Sequence, residues 1–184
     1  MKLKFQNLSL LLISGIVVFS SCKKDEEAPA KVLPTAFTAK LLGAQGNSAG
    51  SFFSPKTGLV YLTGDSATFI ANAVDISFAQ TGAPTSPKFI SLAERRNQGL
   101  TRVVTLTRGT NFSLSTLTKA QFDTVGNVFV SNKVGGSTST AIVQQGKVYE
   151  FTNAEAKNGL IYISNLDLGT GTNGSVTIDV KFEK

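Results

Sequence analysis

Histidine and tryptophan are absent from this chain of 184 residues, and cysteine and methionine occur once each. Without histidine no Ser-His-Asp or Cys-His arrangement can form, no imidazole can serve as general acid or base, and the usual zinc sites lose their ligand. A lone cysteine excludes an intramolecular disulfide. Without tryptophan, only Tyr61, Tyr149 and Tyr162 remain as amphipathic aromatics, which weakens the case for a sugar-stacking platform. Long apolar runs are also missing, with one exception at the N-terminus.

That exception is Leu8 to Phe19 (LSLLLISGIVVF), preceded by Lys2 and Lys4 and followed by Ser20-Ser21. A basic start, an apolar core and a small-residue cleavage site make an export signal over residues 1–21. The apolar run is about a dozen residues, short of the roughly 20 needed to cross hydrocarbon as a helix, so a cleaved signal is expected. Cys22 follows at once. Phe19-Ser20-Ser21-Cys22 resembles the lipobox of bacterial lipoproteins, with Phe19 a near match where an aliphatic residue is usual. The resemblance implies lipid on the Cys22 thiol, cleavage before it and acylation of the new amino terminus. Several acyl chains would hold the protein stably to a membrane, at about 0.8 kcal/mol per buried CH₂.

The next five residues, Lys23-Lys24-Asp25-Glu26-Glu27, resemble the acid-rich segment behind the lipidated cysteine of Bacteroidota surface lipoproteins. What this implies is lipid anchoring in the outer membrane with display at the cell surface; a periplasm-facing anchor is the alternative. With Ala28-Pro29-Ala30 the segment is too polar for a core and makes a flexible tether over residues 22–33. Its residues from Lys23 to Leu33 extend at most about 36 Å. The remaining residues 34–184 suit a single domain. Net charge falls from +6 to +4 when Lys2 and Lys4 leave with the signal. An exported, tethered chain of that charge has little access to nucleic acid, so none is expected as a partner.

Beyond the tether the apolar residues recur mostly with period two, the mark of half-buried strands. Phe37, Ala39 and Leu41 predict an opening strand. Ser51-Phe52-Phe53 and Leu59 to Leu62 flank Ser54 to Gly58 as a hairpin, and its consecutive Phe52 and Phe53 should point to opposite faces, leaving one exposed. Asp65 is expected to cap a short helix, and Asp75 and Ser77 are expected on the outer side of a strand carrying Val74, Ile76 and Phe78. Residues 80–88 read as a loop, Phe89 to Gln98 as ambiguous, and Thr101 to Arg108 as strand. Thr118 caps a brief helix over Lys119–Thr124 with Phe122 inward. Val128 to Val130, Ile142-Val143, Val148 to Phe151, Leu160 to Leu168 and Ser175 to Phe182 read as strands. Leu160 to Ile163 is apolar on both faces, as in a strand covered on both sides. Eight or nine short strands predict an all-β fold, a two-sheet antiparallel β-sandwich with immunoglobulin-like or jelly-roll-like connections and one or two short helices.

Gly50 to Tyr61, Val74-Asp75-Ile76, Gly146 to Phe151 and Gly159 to Ile163 together resemble a loosely defined group of Bacteroidota lipoproteins with β-sandwich bodies. That likeness rests on turns and strands and carries no catalytic residue.

Candidate chemistry is sparse. From Lys88 to Lys119 six basic residues, among them Arg95, Arg96, Arg102 and Arg108, face a single acid, Glu94. Arginine forks match carboxylate and phosphate, so these four are candidate anion-binding residues for an acidic glycan or lipopolysaccharide. No spacing among the acids singles out the pair that a glycosidase needs. Asn165, Asp167 and Asn173 make the best calcium cluster but fit a hairpin loop better, and no metal or cofactor is expected. Gly169-Thr-Gly-Thr-Asn-Gly174 has no following Lys-Ser/Thr and reads as a turn. The expected role is therefore a non-enzymatic, surface-tethered binding or accessory module with a polysaccharide or another envelope protein as ligand. A structural or adhesive envelope subunit and an unfamiliar carboxylate-based glycoside hydrolase are the alternatives.

Overall fold

The computed structural model describes residues 32–81, 86–101, 106–133 and 135–184. The expected export signal, Cys22, most of the expected tether and Arg102 lie outside them. Lys31 to Lys184 forms one contact unit. Among the described residues ten strands make two antiparallel sheets of five. The first holds β1 (Thr35–Gly43), β6 (Asn111–Leu114), β8 (Val148–Thr152), β9 (Asn158–Asp167) and β10 (Ser175–Phe182), in the order β1-β10-β9-β8-β6. The second holds β2 (Phe52–Phe53), β3 (Val60–Tyr61), β4 (Ile76–Thr81), β5 (Ser86–Ile90) and β7 (Thr140–Ile142), in the order β3-β2-β4-β5-β7. The expected all-β two-sheet sandwich is what forms. Its strand order differs from the A-B-E-D and C-F-G sheets of an immunoglobulin domain.

Between the sheets, alternate residues of β10 (Val176, Ile178, Val180, Phe182) meet Ile161, Ile163, Tyr149, Phe151 and Phe112 from the first sheet. Facing them from the second are Phe53, Ile76, Phe78 and Phe89. Among the described residues four short helical segments, where one or two were expected, cover parts of the outer faces. A 3-10 turn over Thr63–Thr68 and the helix α1 (Leu92–Asn97) lie beside a second cluster of Phe52, Phe69, Val74, Leu92 and Leu106. Helices α2 (Lys119–Thr124) and α3 (Asn127–Ser131) close a third, of Phe122, Val125, Val130, Val148 and Leu160.

This outer cover corrects several expectations. Phe52 and Phe53 do point to opposite faces, yet both are buried, because the 3-10 turn and α1 cover the face that Phe52 occupies. For the same reason β4 is buried on both sides, and Asp75 and Ser77 are interior rather than outward. Residues 80–81 and 86–88, read as loop, extend β4 and β5, with Pro87 opposite Gln80. Of the strand expected over Thr101 to Arg108, residues 102–105 lie outside the described residues; Thr101 and Leu106 to Arg108 are not strand, and a strand forms at Asn111–Leu114. Val128 to Val130 is helix rather than strand. Asp65 caps the 3-10 segment from the third position of its first turn, where its Oδ2 accepts from the amide of the N-cap residue Leu62.

In β1 the simple alternation breaks at a bulge. Ala39 adopts the left-handed conformation, φ 51°, and the register against β10 shifts between Phe37 and Lys40. The extra residue turns Leu41 outward and Leu42 inward, reversing the phase that Phe37 began.

Candidate functional site

Three turns converge at one end of the sandwich. Pro55 and Lys56 belong to the β2–β3 hairpin, Ala73 to the approach to β4, and Asn153 to Lys157 to the β8–β9 turn. With Thr35 at the start of β1 and Phe182-Glu183 at the end of β10, they line an open groove of about 260 Å³. Thr35 and Phe182 are cross-strand partners. The walls carry two lysines, Lys56 and Lys157, and two glutamates, Glu155 and Glu183, around the apolar side chains of Pro55, Ala73 and Phe182.

A buried polar network holds one wall in place. Arg108 Nε donates to Asp75 Oδ1 at 2.6 Å, and Asn153 Nδ2 donates to Asp75 Oδ2 at 2.8 Å. Asn153 Oδ1 in turn accepts from the amides of Glu155 (3.0 Å) and Lys157 (2.8 Å), an Asx turn that fixes both groove residues. Arg108 Nη2 reaches Glu155 Oε1 at 3.1 Å. Ala156, at φ 57°, completes the turn in the left-handed region. Burial raises the Asp75 carboxyl above its ordinary range, and the hydrogen bonds and charge of Arg108, with Asn153, pull against that rise. Burial works to lower Arg108 as well, but its contacts with Asp75 and Glu155 win and raise it, so the guanidinium keeps its proton.

The basic residues found in the sequence do not share one face. Arg95 is only 1% exposed. Its guanidinium lies 4.7 Å from the Phe52 ring centroid and Nη1 donates to the Phe78 carbonyl at 2.7 Å, while Nε is buried without a partner. Burial lowers its pKa to about 10. Arg108 is consumed by the network, and Arg96 is exposed on α1. Lys88 donates to Gln98, and Lys119 pairs with Asp123. Arg102 and Cys22 lie outside the described residues. The loop cluster at Asp167 is a turn, since its Oδ1 accepts from the Gly169 amide. Among the described residues no group of three acids could hold a metal, and no helix is long and apolar enough to cross a membrane.

Sequence reasoning missed the groove, because Lys56, Lys157 and Glu183 are unremarkable in isolation. The usable signal was Asn153-Ala-Glu-Ala-Lys157 between two strand patterns, which is turn chemistry with charged residues at fixed positions. No family model, no curated protein and no solved structure matches the chain.

Proposed function

We propose that this is an exported lipoprotein of the Bacteroidota surface kind, anchored through Cys22, whose sandwich is a non-enzymatic binding module. Its ligand is a glycan carrying charged groups, taken in the groove between Lys56, Lys157, Glu155 and Glu183. The observation that carries this reading is that two of the groove's charged residues, Glu155 and Lys157, stand on a wall held by the Asp75–Asn153–Arg108 network, with Lys56 and Glu183 lining the same groove. A preorganised wall lowers the ordering cost of binding. An assembly role is less well supported, because the bulge at Ala39 interrupts β1, the longest edge strand, and a bulged edge is a poor template for strand addition.

The test is an array of acidic, zwitterionic and neutral polysaccharides probed with the full chain. Binding that weakens with salt, and falls about tenfold in a Lys56→Ser, Lys157→Ser variant, supports the reading. Equal binding by that variant, or none by either protein, would overturn it. A second reading, the glycoside hydrolase, draws on Glu155 and Glu183 lining the same groove. Release of reducing ends from a bound glycan, abolished by Glu183→Gln, would favour it.

A further inference from the structure

Helix α3 is five residues long and carries Val128, Phe129 and Val130 in succession. Only Val130 is buried, in the cluster under α2 and α3. Val128 is 71% exposed and Phe129 39%, an apolar surface that this fold leaves in water. The chain enters the domain beside them. The Asn127 amide donates to the Val32 carbonyl at 2.9 Å, and Val32 and Leu33 are 57% and 58% exposed. Lys133 stands over the Phe129 ring, its Nζ 4.7 Å from the centroid, and the Lys184 amide donates to Asn127 Oδ1. Four exposed apolar side chains thus surround the point where residues 22–33 reach the body, with Lys133, whose Nζ also lies 3.4 Å from Glu150 Oε1, at their rim.

We propose that this surface docks on the lipid bilayer. The inference rests on the anchoring proposed for Cys22. Nine residues lie between Cys22 and Val32, ten Cα–Cα steps that reach at most about 36 Å, so the anchor holds this surface within that distance of the membrane. Val128, Phe129, Val32 and Leu33 then enter the headgroup boundary, while Lys133 keeps its ammonium group, shared with Glu150, at the polar surface. Docking sets the body's orientation. The β9–β10 hairpin at Gly169–Gly174, a whole eight-residue strand away from Phe182, points from the membrane.

Cys22 is the only cysteine, so a second thiol can be labelled in the acylated chain. Full-length protein carrying Val128→Cys or Thr170→Cys is coupled to an environment-sensitive fluorophore and reconstituted in phosphatidylethanolamine–phosphatidylglycerol vesicles containing nitroxide lipid. Quenching at position 128 should exceed that at position 170 by about twofold or more, and fall when Phe129→Ser is added. Equal quenching at the two positions overturns the docking. So does concentration-dependent shielding of position 128 without lipid quenching, which assigns the patch to a second copy. Mass spectrometry of Cys22 separates the two proposals: an unacylated thiol sinks the anchoring and the docking with it, whereas an acylated chain with equal quenching sinks the docking alone.

Discussion

Asp75 Oδ1 and Arg108 Nε lie 2.6 Å apart, and the Asp75 side chain has no solvent exposure. The pair ties the approach to β4 to the segment before β6, and through Asn153 and Glu155 it also holds the β8–β9 turn. Deleting one partner leaves the other charge buried, so Asp75→Ala should cost about 3–5 kcal/mol. Arg108 keeps Glu155, which favours the lower end. Urea unfolding measures the loss, and a cost near zero would mean the network does not hold the turn.

The same carboxyl sets a pH dependence. Its folded pKa is raised by burial above the ordinary 3.8, so between those values the folded state holds a proton that the unfolded state has lost. The contribution is therefore most favourable below that window and is lost as pH rises through it. Relative to Asp75→Asn, the native chain should gain stability as pH falls from 7 towards 4. Parallel denaturation curves across that range check the sign.

How much of this was legible depends on how local each cause is. Thr118 as N-cap specified α2 to the residue, and Phe122 inside it, because a cap acts within one turn. The alternation of Ser175 to Phe182 and the two-sided apolar run at Leu160 were also readable, each set by its own residues. Asp75 was not. Its partners stand 33 and 78 positions away, and a lone acid in an alternating strand looks solvent-facing until the outer helical cover is known. Val128 to Val130 has strand propensity throughout, yet it forms one helical turn, because docking Val130 beside Leu160 outweighs so short a preference. The groove was invisible for a further reason: its residues come from five separate places in the chain.

Arg95 offers a different test. Its charge is buried over Phe52 with one orphaned N–H, a costly arrangement that one carbonyl and one aromatic face only partly offset. Arg95→Met keeps most of the volume and removes the charge, so stability should stay within about 1 kcal/mol of native. Arg95→Ala opens a cavity beside Phe52 and should cost about 3 kcal/mol. Similar large losses from both variants would show that the guanidinium itself stabilises the fold.

Ala156 is an exposed residue at φ 57° in the β8–β9 turn, and its left-handed backbone has no side-chain packing to justify it. Ala156→Gly should stabilise by about 0.5–1 kcal/mol, with relief of the Cβ clash exceeding the extra entropy of glycine in the unfolded chain. Thermal unfolding reads the gain directly, and the same change at Ala120 inside α2 should move stability the other way. A loss at position 156 would mean that the turn opens in solution.

Gly159 supplies the sharpest steric prediction. A Cβ there would lie 2.3 Å from two Phe151 ring atoms and 2.9 Å from the Lys181 carbonyl. Phe151 cannot retreat freely, because it stacks on Phe182 with the rings 5.9 Å apart and 2° from parallel, and Phe182 is part of the groove. Gly159→Ala should therefore destabilise by about 2 kcal/mol and weaken the proposed glycan binding together with the fold. Shrinking the ring relieves the collision, so Phe151→Leu combined with Gly159→Ala should cost at least about 1 kcal/mol less than the two single changes added together. Strict additivity would place the strain at the Lys181 backbone instead, and in that case binding in the groove should survive the glycine substitution.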